Sequence, residues 1–162
     1  KVRGTRAVIL DTRKTLPGYR LLQKYAVRCG GGTTHRMGLY DGILIKDNHI
    51  DFAGSIEQAI DKARAYLKKN KKNLKIEIEA RSIGDVKRIL YKTGVDRILL
   101  DNFTVEQTRE AVEIIGGLVE TESSGNITLD NIRSYAECGV DYISVGALTH
   151  QIKSLDLSLK AC

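Results

Sequence analysis

TGVDRILLDN (Thr93–Asn102) and CGVDYISVGA (Cys138–Ala147) carry the same Gly-Val-Asp-x-Ile core, 45 residues apart. In each, a glycine suited to the left-handed turn after a helix leads into a short run of β-branched and other apolar residues. Half of 45 is about the length of one βα unit. At that half-interval, Glu79, Asp101, Ser123 and Gly146 follow one another 22 or 23 residues apart, each at the end of a β-rich run. A unit repeating at this length predicts strands alternating with helices in a parallel sheet, either closed toward a barrel or doubly wound.

Working outward, strands are expected near 6–12, 42–47, 75–80, 96–101, 117–122 and 141–146, with a last short one at LDLSLK, 155–160. Helices are expected near 17–28, 55–69, 82–93, 104–115 and 128–138. Ser55 with Gln58, and Thr104 with Gln107, have the spacing of an N-cap and capping box, and Ser82 and Thr128 are further caps. Gly94, Gly116 and Gly139 stand at helix C-terminal turns, and Pro17 at a helix start. An eight-unit barrel needs about 250 residues, whereas 162 residues hold six or seven units. The expected fold is therefore α/β, an open or incomplete parallel β/α barrel of six to seven strands, spanning 1–162 as one catalytic domain.

Composition narrows the ligand class. The 26 basic and 20 acidic residues leave a net charge of +6, which favours anionic ligands. The seven Tyr and two Phe are scattered, without the interleaving of cations and aromatics that stacks bases, so no nucleic-acid partner is expected. KKNKKNLK (68–75) reads as a solvated helix end whose lysines complement the macrodipole. Cys29, Cys138 and Cys162 lack metal-ligand spacing and suit reduced thiols in the cytoplasm. No apolar run approaches a membrane span of roughly 20 residues. The three histidines have no i, i+4 pairing for zinc, and no GxSxG or HExxH occurs. A first residue other than Met suggests a piece of a longer protein.

Polar residues gather where the strands end: Asp11-Thr12-Arg13-Lys14, Lys46-Asp47-Asn48-His49, Glu77-x-Glu79-x-Arg81, Asp101-Asn102, Glu122-Ser123-Ser124-Gly125, and Gly146. Parallel strands bring these ends to one face, where β/α enzymes do their chemistry. Arg13, Lys14 and Lys46, with His35 and Arg36 from the Gly-rich loop GGGTTHRMGLYDG (30–42), form a cationic cluster. It exceeds the needs of one phosphate and suits a diphosphate together with carboxylates. Glu79 and Asp101 offer the opposite charge, either to Mg²⁺ and sugar hydroxyls or to neighbouring cations as ion pairs. SSGN (123–126) and VGA (145–147) precede expected helices and offer backbone N–H groups to phosphate. The Gly-rich loop is not a P-loop, because it follows a helix and lacks GxxxxGK[ST]. His49 is equally suited to orienting a substrate or to the surface.

DTRKTLPG (11–18), KYAVRCGGGTTHRMGLYDGILIKDNHI (24–50), IEIEA (76–80), ILLDN (98–102), ESSGNI (122–127) and SVGALTHQ (144–151) together closely resemble the quinolinate phosphoribosyltransferases, in family order and over almost the whole chain. The resemblance implies an enzyme that makes nicotinate mononucleotide, CO₂ and diphosphate from quinolinate and phosphoribosyl diphosphate, with Mg²⁺, in NAD biosynthesis. It implies quinolinate binding by Arg13, His35, Arg36 and Lys46, and phosphate binding by Lys14, Ser124, Gly125, Gly146 and Ala147. Lys14, Lys46, Glu79 and Asp101 become the catalytic set, with Glu79 and Asp101 serving ribose and Mg²⁺. Thr34 and Ser123 depart from the residues common in the family. The family's N-terminal α/β domain, which lends an arginine to the neighbouring subunit's site, has no counterpart in these residues, and the resemblance implies at least a homodimer. Two alternatives remain open: a related pyrophosphorylase acting on another base, and a non-catalytic ligand-binding fragment.

Overall fold

A computed structural model describes residues 1–153 and 155–161. In chain order the elements are β1 (Val8–Leu10), α1 (Arg20–Cys29), β2 (Ile43–Ile45), α2 (Asp47–Ala53), α3 (Ile56–Lys69), β3 (Ile76–Ala80), α4 (Ile83–Lys92), β4 (Arg97–Asp101), α5 (Val105–Ile115), β5 (Glu120–Ser124), α6 (Ile132–Glu137), β6 (Tyr142–Ser144) and α7 (Ala147–His150). All strand pairs are parallel, in the order β1-β6-β5-β4-β3-β2. This is the circular order of a barrel with one break, between β1 and β2. At the break, Thr33 of the Gly-rich loop bridges to Leu10, its amide donating to the Ile9 carbonyl at 2.8 Å. The barrel is six-stranded and open.

Alternation along the strands separates two environments. Ile76, Ile78, Ile98, Leu100 and Ile45 face outward into the helix layer, with Ile60 of α3, Val86 and Ile89 of α4 and Ile115 of α5. A second cluster joins Ile143, Val140, Ile132, Ala136 and Ala7 on the β6 side. Complete burial of a Val or Ile side chain contributes about 1.5–3 kcal/mol. This outer layer therefore holds the fold together, while the lumen is left free to be polar. The residues between them, Glu77, Glu79, Arg97, Asp101, Glu122 and Ser124, point into the lumen and toward its mouth.

The helices start and stop largely as the residues dictate. Ser55, Ser82 and Thr104 each accept a bond from the third amide beyond, and Gln107 completes the box at Thr104. Gly94, Gly116 and Gly139 are all left-handed. Four expectations need correction. Pro17 lies in a turn, and α1 begins three residues later at Arg20. α6 begins at Ile132, because Thr128 uses its hydroxyl in a local turn with Asp130 instead of capping. α2, over residues expected to be loop, starts where His49 Nδ1 accepts the Lys46 amide at 2.9 Å. LDLSLK forms no strand: the outer edge of β1 is occupied by Thr33, and Leu155, Leu157 and Leu159 are exposed. Residues 154 and 162, and with the latter the expected thiol of Cys162, lie outside the described residues.

Candidate active site

The carboxyl ends of the strands enclose a cavity of about 310 Å³ lined by Thr12, Arg13, Lys14, His35, Arg36, Lys46, Glu79, Asp101, Glu122 and Ser124 among others. A second, of about 460 Å³, shares Lys14, Asp101 and Ser124 with the first and extends over Gly125, Gly146, Ala147 and His150. Arg13, Lys14, His35, Arg36, Lys46, Glu79, Asp101, Ser124, Gly125, Gly146 and Ala147 thus line one of two adjoining cavities, whereas His49 and Ser123 line neither. One is ringed by guanidinium groups and the other by glycines.

The guanidinium cavity is short of anions. Arg13 Nε is buried with no protein partner. The Arg36 pKa is lowered from its ordinary value by burial first and then by the like charge of Arg13. Among the described residues, Arg13, Lys14 and Arg36 make no ion pair, whereas Lys46 is held 3.0 Å from Glu79. Glu77, Asp41 and Glu79 attract Arg36, but burial and Arg13 outweigh them. Two guanidinium groups kept close and partly dehydrated, neither bonded to a carboxylate, form a site suited to an anion.

The loop carrying His35 and Arg36 is fixed by two charges, Asp11 of the strand-end polar run and Lys24, which no sequence signal marks as a site residue. Asp11 and Lys24 are essentially inaccessible and form a salt bridge. Asp11 Oδ1 also accepts the His35 amide at 2.9 Å, and Lys24 Nζ donates to the His35 carbonyl at 3.2 Å. α1 therefore packs its polar residues Gln23 and Lys24 inward while Leu21, Leu22 and Tyr25 face outward. An inverted helix of this kind cannot be recognised from periodicity, which only reports that it has two faces.

Beneath the cavity, His35 Nε2 stands 3.0 Å from Glu77 Oε2 and 3.5 Å from Glu122 Oε2, and Arg97 Nη1 donates to the latter at 2.8 Å. These ligand-type atoms cluster within 4.8 Å, and a protonated imidazole between the two carboxylates accounts for the trio as an ion-paired group without a metal. Burial pulls the His35 pKa down, yet bonding and attraction from Glu122 and Glu77 outweigh it and raise it to about 9. The Arg36 amide, 2.7 Å from Nδ1, acts the other way, since an imidazolium has no lone pair there. One neutral bond contributes about 1 kcal/mol, against about 1.5–3 kcal/mol for each bond to a charged group. The carboxylates therefore prevail, and charging the ring releases the Arg36 amide.

Around the second cavity, glycine is required at Gly125 by close approach and a positive φ, while at Gly146 the near atom is the end of the His150 side chain, which can move. A Cβ on Gly125 would lie 2.2 Å from Asn102 Oδ1, at φ +93°, and one on Gly146 would lie 2.7 Å from His150 Nε2. Gly125→Ala is expected to weaken phosphate binding at least tenfold, measured by calorimetry with ribose 5-phosphate, while an Ala substitution at the open, exposed Gly84 leaves binding unchanged. SSGN does not run directly into a helix, since α6 starts six residues after Asn126. Any phosphate cradle here is therefore made of loop amides and hydroxyls. Asn102, Asn126 and His150 also line this cavity; that the side chains of Asn102 and Asn126 meet cannot be read from the sequence, because their proximity depends on strand register: Asp101 pairs with Ser124.

These features define the chain as an open parallel β/α barrel with its polar residues gathered at the strand ends, where such barrels place their sites. The profile of the quinolinate phosphoribosyl transferase C-terminal domain matches residues 1–160. The chain is 47% identical over 168 aligned residues to quinolinate phosphoribosyltransferase [decarboxylating] 1b of Nicotiana tabacum, covering 95% of this chain and 48% of that one. It is 50% identical to the nicotinate-nucleotide pyrophosphorylase [carboxylating] of Mycobacterium leprae, covering 98% and 55%. The solved nicotinate-nucleotide pyrophosphorylase of Francisella tularensis superimposes with a TM-score of 0.90 at 46% identity, over 97% of this chain and 54% of that one. The chain belongs to the quinolinate phosphoribosyltransferase family. It spans about half the length of the curated relatives it matches.

Proposed function

We propose that this chain provides the quinolinate and phosphoribosyl diphosphate sites of a decarboxylating quinolinate phosphoribosyltransferase in NAD biosynthesis. The observation that carries this reading is the Arg13–Arg36 group, in no ion pair among the described residues, with His35 beneath it, beside a second cavity lined by Gly125 and Gly146. Arg13, Arg36, His35 and Lys46 receive the two carboxylates of quinolinate. Lys14, Ser124, Gly125, Gly146 and Ala147 receive the phosphates. The pyridine nitrogen bonds to ribose C1 as the C1–oxygen bond to diphosphate breaks. The alkylated ring then takes up the electron pair released when the 2-carboxylate leaves as CO₂, and the ring carbon is protonated. No side chain need act as a nucleophile, and holding the two substrates in line supplies much of the acceleration.

For Mg²⁺ the acids fit unequally. Both oxygens of Glu79 accept bonds, from Lys46 Nζ at 3.0 Å and the Asp47 amide at 3.2 Å. Asp101 has Oδ2 bonded to Asn102 and, among the described residues, Oδ1 without a donor. Mg²⁺ commonly takes one or two carboxylates plus substrate phosphates. Asp101 fits as its principal protein ligand, with Glu79 chiefly orienting Lys46. When bound, the ion supplies neutralising charge to the departing diphosphate. Asp101→Asn is expected to lower turnover by tenfold or more while leaving quinolinate affinity within twofold. A loss confined to quinolinate affinity argues against this role.

The raised His35 pKa gives the reading a pH signature. The imidazolium is present below pH 9 and lost above it, so quinolinate affinity should hold from pH 7 to 8 and fall as the pH rises through about 9. A fall centred near 6.5 would mean that Glu77 and Glu122 do not hold the ring charged. Assembly of at least two copies is supported by the outward Leu21, Leu22 and Tyr25 of α1. No helix of the described chain is long and apolar enough to cross a membrane, and the free Cys29 and Cys138 suit a cytoplasmic setting. Calorimetry in Mg²⁺ buffer tests the core of the proposal. Binding of quinolinate but not nicotinate supports it. Preference for the monoacid indicates a pyrophosphorylase for another base.

A further inference from the structure

Asn102 directly follows β4 and is exposed, yet its backbone is left-handed at φ +56°, as is that of Asn126 at φ +51° in the loop after β5. Left-handed backbone disfavours side chains in general and tolerates Asn. Such strain persists where surrounding contacts fix it. Here the contacts run in a chain. Asn102 Nδ2 donates to Asp101 Oδ2 at 3.0 Å, and Asn102 Oδ1 accepts from Asn126 Nδ2 at 3.1 Å. The Asn102 amide donates to the Ser124 carbonyl at 2.9 Å. Further along, Asn131 Nδ2 donates to the Asn126 carbonyl at 3.0 Å. Both donor and acceptor of one side-chain amide are thus used to join the carboxylate of one strand end to the loop of the next.

We propose that Asn102 is a positioning residue that sets Asp101 and the Ser124–Asn126 loop as one rigid unit for a sugar phosphate, the carboxylate meeting the sugar hydroxyls and the loop meeting the phosphate. This rests on the reading of the site given above and goes beyond it. With Oδ2 occupied by Asn102, the rotamer of Asp101 is fixed and Oδ1 is presented to the cavity. With Oδ1 of Asn102 over Gly125, the loop is held where only a glycine fits. Aspartate at 102 could accept from Asn126 but could not donate to Asp101, and would put a second negative charge beside it.

Asn102→Gly separates this role from a purely conformational one, because glycine accepts φ +56° without strain but has no amide to offer. The expected result is unchanged thermal stability, at least tenfold weaker binding of ribose 5-phosphate by calorimetry in Mg²⁺ buffer, and quinolinate affinity within twofold of the parent. Asn102→Asp should lose ribose 5-phosphate binding more severely. Parent-like ribose 5-phosphate binding in Asn102→Gly, or an equal loss of both ligands, overturns the proposal. Failure of the unsubstituted protein to bind either ligand is a different result, which sinks the functional reading and this inference with it.

Discussion

Arg36→Ala is expected to lose quinolinate binding by a hundredfold or more and to melt no lower than the parent protein. The two halves of this expectation share one cause. A guanidinium–carboxylate contact made away from bulk water contributes roughly 1.5–3 kcal/mol per charge-assisted bond, and a planar fork can make two. In the ligand-free protein none of that is realised. Arg36 is instead partly dehydrated and repelled by Arg13, which together outweigh attraction from Glu77, Asp41 and Glu79, and its guanidinium bonds only to the Gly42 carbonyl, at 3.2 Å. Removing it relieves the repulsion. Binding and stability should therefore move independently, the pattern of a residue retained for function at some expense to the fold. Calorimetry with quinolinate and a thermal melt, run on the same preparation, make the comparison. Retained affinity would exclude Arg36 from the pocket, and a large drop in melting temperature would mean that its role is architectural. Arg13→Ala should behave alike in binding, since its buried Nε is likewise without a protein partner.

What the sequence discloses about this molecule follows from where its information is local. The repeated Gly-Val-Asp-x-Ile stretch marks helix end, turn and strand within ten residues, and β4 and β6 lie inside it. Polar residues at strand ends are legible because parallel strands leave no choice of face. Period-2 alternation misleads at both extremes. IEIEA has glutamates facing the lumen, whereas LDLSLK alternates as well and pairs with nothing among the described residues. α2 escapes because DNHIDFA is too short to show a period, and its start is fixed by His49 capping Lys46. The Asn102–Asn126 bond joins residues 24 apart whose meeting depends on register. No propensity encodes that.

The pair most remote from local signals carries the largest expected effect on stability. Lys24 and Asp11 lie 13 residues apart on different elements, and neither is accessible. Their bond to each other offsets two desolvation costs that would otherwise be prohibitive. Lys24→Met keeps the length and apolar stem of the side chain but leaves Asp11 charged, buried and already short of a partner at Oδ2. Breaking such a pair from one side costs about 3–5 kcal/mol. For a chain of this size that is a fall in melting temperature of about 6–20 °C, at about 2–4 °C per kcal/mol. The double variant Asp11→Asn, Lys24→Met should recover much of the loss, because no unpaired charge remains. It should not recover quinolinate binding. An amide oxygen at position 11 can still accept the His35 N–H, but the Lys24 Nζ bond to the His35 carbonyl is gone, so the backbone that presents His35 and Arg36 loses one of its two ties. A double variant that regained both stability and binding would show that the loop is shaped by its glycines alone, and that the buried charges serve α1 and not the site.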